Sequence, residues 1–200
     1  MSPHALPLRG SLPPEGPDPA WGGPAPDRMS PHASLPLPDE VVLSERDGRY
    51  LREAIGWSQV ARDRGNRPFG AVIVAEDGRV LAEAWCNTGE SGDCTGHAET
   101  NAVRMVSPQV DRATLSRSTL YSSAEPCVMC AGAIFWSAIG RVVFGIDAVR
   151  LREFRGERLD QRDAELSCRD VFRASPHPIE CIGPALIDEA SAPHQGFWKT

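Results

Sequence analysis

The chain has 200 residues, 41% of them hydrophobic, which suffices for one domain with a proper core. Its formal net charge of −6 argues against a protein that grips a phosphate backbone, since such a surface carries a basic surplus or a basic stripe; a tRNA partner is disfavoured on this ground. No apolar run reaches membrane-spanning length and the N-terminus lacks a signal-peptide core, so a cytoplasmic protein with no membrane partner is expected. The first 38 residues hold eleven of the eighteen prolines and cannot bury enough apolar surface to offset their ordering, so they read as a disordered Pro-rich segment. Met1-Ser2-Pro3-His4-Ala5 recurs within it as Met29-Ser30-Pro31-His32-Ala33, which leaves open a start at Met29 or a docking arm. Residues 39–200 form the domain, with −5 of the net charge.

Within that domain, Ser44 with Asp47 three positions on opens a helix, and Leu51, Ala54, Ile55 and Ala61 carry it at helical spacing to about Arg64. Gly65-Asn66-Arg67-Pro68 ends it. The apolar runs from Phe69 to Ala75 and from Val80 to Trp85 flank Asp77-Gly78 and predict a hairpin. A loop to Gly96 leads into a helix beginning near His97. A strand over Thr119 to Ser122, a helix from about Cys127 to Ser137 and a strand over Arg141 to Ile146 follow. The arginines between Arg150 and Arg162 are nearly balanced by acids, as on a solvated helix face. Pro178 to Ile182 is a fifth strand, far enough from the fourth to permit a crossover and parallel pairing. The order β-β-α-β-α-β implies an α/β sandwich with the two helices carrying His97 and Cys127 on the sheet. Residues 183–200 form a C-terminal helix or arm whose Phe197-Trp198 pair is expected to pack against something.

The chemistry is concentrated in two strings thirty residues apart, His97-Ala98-Glu99 and Pro126-Cys127-Val128-Met129-Cys130. One histidine and two cysteines are three zinc-type ligands, and a catalytic zinc keeps three protein ligands plus one position for water. Zinc lowers the pKa of such a water from about 16 to about 7. Cys127 and Cys130 stand i, i+3, so a helix puts both sulfurs on one face, and its N-terminus favours thiolates. Pro126 suits the first turn of that helix. Glu99 is the proton carrier that hydrolysis needs. A redox pair is the competing reading of Cys127 and Cys130, but nothing around them resembles a thioredoxin unit. Cys86, Cys94, Cys168 and Cys181 show no framework spacing; Cys86 and Cys181 read as buried thiols, and Cys94 as a residue near the site mouth.

The motifs Pro68-Phe69-Gly70-Ala71-Val72, Asp93-Cys94-Thr95-Gly96-His97-Ala98-Glu99 and Glu125-Pro126-Cys127-Val128-Met129-Cys130 resemble the cytidine deaminase-like superfamily over Leu43 to Ile146. Within it the chain is most similar to the branch holding guanine deaminases and bacterial tRNA adenosine deaminases. The resemblance implies a three-layer α/β/α sandwich with a five-stranded mixed sheet and a parallel fifth strand. It implies one Zn2+ per subunit on His97, Cys127 and Cys130, with Glu99 as proton shuttle. Asn87 matches a base-recognising asparagine and Phe69 a wall of the base pocket, while the backbone of Ala98 and of Ser123 would touch the base. Guanine deaminases close the pocket with C-terminal residues, often exchanged between the subunits of a homodimer; Phe197 and Trp198 are the candidates for that lid, although the C-terminal residues do not line up closely with the known pattern. The acid that reads the purine in guanine deaminases has no clear match; Asp147 is only nearby. The expected activity is hydrolytic deamination of a free nucleobase or nucleoside of guanine type, with tRNA anticodon adenosine-to-inosine editing, cytosine or cytidine deamination, and a non-catalytic zinc scaffold as alternatives.

Overall fold

The computed structural model describes residues 39–155 and 166–198. The expectations for residues 1–38, for Met29 and for most of the second half of the Arg150–Arg162 stretch lie outside the described residues. Helix α1 (Glu45–Asp63) starts where the sequence places it, with Ser44 Oγ accepting the Asp47 N–H at 3.1 Å. Strands β1 (Gly70–Val74) and β2 (Val80–Trp85) form the hairpin, turning at Gly78 with φ +92. Two short helices that were not anticipated, α2 (Thr88–Ser91) and α4 (Arg112–Leu115), flank α3 (Ala98–Val106). Each is a single turn, too short for helical periodicity to register. Strand β3 (Thr119–Ala124), helix α5 (Val128–Ser137) and strand β4 (Arg141–Ile146) follow. Then come α6 (Ala148–Arg155), α7 (Cys168–Arg173), β5 (Glu180–Ile182), α8 (Ile187–Ser191) and a 3-10 turn over Ala192–His194.

The five strands run in the order β2-β1-β3-β4-β5, with β1 antiparallel to β2 and β3 and with β3, β4 and β5 mutually parallel. The sheet is therefore mixed, and the fifth strand is parallel as its spacing implied. All five residues of β1 are buried, as befits a strand covered on both faces. One face packs Ile73, Leu120, Val142 and Phe144 against Ala102 of α3, Ile134 of α5 and Phe172 of α7. The other packs Val72, Tyr121 and Val143 against Tyr50, Leu51 and Ala54 of α1. Gly70 lets α1 approach closely: a Cβ there would stand 2.2 Å from the Ala54 carbonyl oxygen. These two faces make the three layers.

At the amino ends of the parallel strands, charges are tied together. Tyr121 Oη donates to Asp47 Oδ1 at 2.7 Å, and Arg141 grips both Asp47 oxygens at 2.7 and 2.9 Å while its Nε donates to Glu180 at 2.7 Å. The Arg141 guanidinium foremost, helped by the Tyr121 and Ser44 hydroxyls, holds the Asp47 carboxyl down at about 2 despite burial. This cluster locks α1 to β3, β4 and β5. The carboxyl ends of the same strands are left for the site, where ligands bind in open α/β sheets. Cys86 is fully buried, and Cys181 is half-buried with its sulfur 3.7 Å from that of Cys168.

Candidate metal centre and base cleft

Two helix N-termini meet beyond the ends of β3 and β4. His97 is the N-cap of α3 and Cys127 the N-cap of α5, so the first ligand of each string sits where a helix points its positive end. Cys130 follows in the first turn of α5, and the i, i+3 spacing brings the sulfurs to 3.6 Å. Pro126 lies one residue outside the helix; the turn that closes around the sulfurs starts at Val128, so the proline shapes the entry and not the first turn. His97 Nδ1 stands 3.5 Å from each sulfur. A tetrahedral zinc, about 2.3 Å from sulfur and about 2.0 Å from nitrogen, requires ligand atoms about 3.5–3.8 Å apart. The three side chains fit the ion without rearrangement. The hydrogen bond with Cys130, and after it the His97 ring, bring the Cys127 thiol down to about 4, the form a metal takes.

Glu99 lies in the first turn of α3, beside the same cluster, and is 5% exposed. Its Oε1 accepts from Ser122 Oγ of β3 at 3.1 Å, and Oε2 accepts from the Cys130 sulfhydryl at 3.5 Å. Burial foremost, with the Cys127 sulfur beside it, pushes the carboxyl above the ordinary carboxylate range. The same Cys127 contact raises the His97 ring. Thr100 Oγ1 rests 3.4 Å from Cys130 Sγ, placing a hydroxyl beside that ligand. Thr100 and Ser122 carried no signal in the sequence, because the groups they serve come from other elements.

The cluster opens into a narrow cleft of about 90 Å3, bordered by His97, Glu99, Cys127, Phe69, Glu125 and Arg67. Phe69 is among the residues that border it. Ala98 is fully buried behind the ligands, and Ser123 is spent on the fold, its Oγ accepting the Gly70 N–H at 3.0 Å. Asn87 does not border the cleft. Its Oδ1 accepts from Asn101 Nδ2 at 3.0 Å, and it faces a separate surface hollow with Asn101 and Met105. Trp198 is 6% exposed and stands behind Phe69, ring centroids 6.2 Å apart, with the Arg155 guanidinium 4.9 Å from its ring and His194 stacked on it at 6°. Cys94 is exposed in the larger cavity next door. Asp147 is consumed locally, its Oδ1 capping α6 through the N–H groups of Val149 and Arg150 and its Oδ2 paired with the Arg150 guanidinium. Glu125 accepts from the Ala148 N–H at 3.1 Å and from the Ser167 hydroxyl at 2.5 Å.

A sheet with two helix N-termini offering one imidazole and two thiolates to a metal, beside a buried glutamate, defines a hydrolytic zinc site. The family model for the cytidine and deoxycytidylate deaminase zinc-binding region matches residues 44–146, and the chain belongs to that family. Its members are zinc-dependent hydrolases acting on nucleobases or nucleosides. The chain is 47% identical over 156 residues to a probable cytosine deaminase of Schizosaccharomyces pombe, covering 78% of this chain and 94% of that one. It is 47% identical over 113 residues to a guanine deaminase of Bacillus subtilis, covering 56% of this chain and 65% of that one. Among solved structures it resembles a deaminase from a study of A-to-I editing by tRNA:A34 deaminases. That match has TM-score 0.56 and 28% identity, and covers 73% of this chain and 99% of that one.

Proposed function

We propose that the chain hydrolyses the exocyclic amine of a nucleobase or nucleoside, releasing ammonia. The observation that carries this reading is Glu99, buried and aimed with one oxygen at the metal ligands while the other is anchored by Ser122. When bound, zinc supplies the Lewis acidity that makes water a nucleophile near neutral pH. His97, Cys127 and Cys130 hold that ion. Glu99 Oε2 takes one proton of the attacking water and gives it to the ring nitrogen, then carries the second proton, from the hydroxyl now on the ring carbon, to the amine as the C–N bond breaks and ammonia leaves. Its raised pKa, caused by burial, suits a group that must both accept and donate. Phe69 walls the base, and residues 183–200 act as the lid through Trp198.

Of the ring classes, a single pyrimidine ring of cytosine type fits best. The cleft is small, and neither Asp147 nor Glu125 is free to read a guanine amine. The identity to the Schizosaccharomyces pombe protein along most of both chains supports the same choice. A guanine-type base is the second reading, favoured by the Bacillus subtilis relative. We take the working form to be a cytoplasmic homodimer joined through α3 and α5, where Trp136 is 74% and Met105 47% exposed. Asn87, if it reads the base, must first release Asn101. Ammonia release by the zinc-loaded protein from cytosine, cytidine, guanine, guanosine, adenosine and an anticodon stem-loop RNA tests the reading. Turnover of cytosine or cytidine is expected, and turnover confined to the RNA would overturn it.

A further inference from the structure

The zinc cleft, at about 90 Å3, is far below the about 300–1,000 Å3 of pockets that enclose a whole ligand. It has room for a ring and little else. Next to it lies a second cavity of about 890 Å3, and Arg67 borders both. A group attached to a ring held at His97 and Glu99 can therefore reach the second cavity beside Arg67.

Arg67 is unlike the other arginines. In this acidic protein Arg52, Arg64, Arg79, Arg104, Arg117, Arg141 and Arg173 are all paired with carboxylates. Arg67 is exposed and, among the described residues, its side chain has no hydrogen-bonding, ion-pair or ring partner. The second cavity adds Arg62, whose Nη1 donates to the Pro193 carbonyl at 2.8 Å, and among the described residues its wall holds no acid. Asn66 lines it too, with Oδ1 taken by the N–H groups of Gly89 and Glu90 and Nδ2 buried without a partner. Trp198 and Phe197 close the far side. Two cations with no counter-charge among the described residues, an aromatic wall and a spare amide donor describe a seat for an anionic, sugar-bearing substituent.

We propose that Arg67, backed by Arg62, binds the phosphate of the substrate in the second cavity, so that the chain prefers a nucleotide to the unphosphorylated nucleoside. This rests on the deaminase reading above and deepens it. Arg67 is a specificity residue that touches the substrate's phosphate and takes no part in the proton transfers. The net charge of the whole chain hides the site, because a sum over all residues does not record where its cations stand.

The test compares kcat/KM for cytidine 5′-monophosphate and cytidine, and for guanosine 5′-monophosphate and guanosine, in the zinc-loaded full chain. The monophosphate should be preferred at least about tenfold, the worth of one charge-assisted contact of about 1.5–3 kcal/mol. Arg67→Ala should collapse that ratio, mainly through KM, and Arg67→Lys should restore part of it. Rising salt should erode it. A ratio near one in the wild type, or an Arg67→Ala variant that slows nucleotide and nucleoside alike, would overturn the proposal. Calorimetric binding of the same four compounds to Glu99→Gln keeps the two ideas apart. Monophosphate-selective binding that depends on Arg67, with no turnover by the wild type, would sink the deaminase reading and leave the phosphate seat standing; turnover with unselective binding would do the reverse. A trinucleotide carrying the same base, bound tighter than the monophosphate and only with Arg67 present, would identify the phosphate source as a strand.

Discussion

Two clusters of buried polar groups sit at opposite ends of β3 and β4, and each contains a carboxylate. At the amino ends, Asp47 is surrounded by donors from Arg141, Tyr121 and Ser44, and its pKa is driven down to about 2. At the carboxyl ends, Glu99 has one hydroxyl and one sulfhydryl for company, and burial drives its pKa up. The same functional group is thus pushed in opposite directions by its surroundings. Where the chain supplies every partner, a charge fastens elements together; where partners are withheld, the group is left able to take up and give back a proton.

The largest break in this contrast should come from the metal. Cys130→Ala removes a ligand, and the purified protein should carry less than about a tenth of an equivalent of zinc, since three-ligand sites have none to spare. Elemental analysis reads this directly, and ammonia release should vanish with the metal. At the other cluster, Asp47→Asn should leave zinc content intact while costing about 1–3 kcal/mol of stability in urea denaturation, the scale of a lost charged hydrogen bond. The pH dependence follows from the depressed value. Stability contributed by ionised Asp47 is complete above its unfolded pKa near 3.8 and is lost as pH falls toward about 2. Denaturation midpoints of wild type and Asp47→Asn should therefore converge across that window and stay apart at pH 7. The smallest effect is expected at the lid. Trp198→Ala forfeits aromatic contacts worth about 0.5–1.5 kcal/mol, so KM should rise about 2- to 10-fold with zinc content unchanged.

The metal end was legible because its ligands lie in two short strings, each wrapped around one helix start. His97, Glu99, Cys127 and Cys130 needed only local spacing to be found. The hairpin at Asp77-Gly78 and the parallel β5 were legible for the same reason, one from turn chemistry and one from the distance available for a crossover. The Asp47 cluster was not, since Asp47, Tyr121, Arg141 and Glu180 meet only after four elements are assembled. Arg67 was read merely as part of a helix stop; that its side chain has no partner among the described residues is visible only in the folded chain. Asn87 shows the converse: a position that matches a base-reading asparagine is folded onto Asn101, where Gly96 leaves room for its amide at a distance a Cβ could not tolerate.

The most direct test of the whole account is Glu99→Gln. The amide keeps the shape of the side chain and can still meet Ser122, but it cannot carry a proton. Zinc content should remain at the wild-type level while ammonia release from the best substrate falls by about 10²–10⁴-fold, the usual worth of a positioned acid–base group. A Glu99→Gln protein that binds zinc and turns over at the wild-type rate would contradict the central claim.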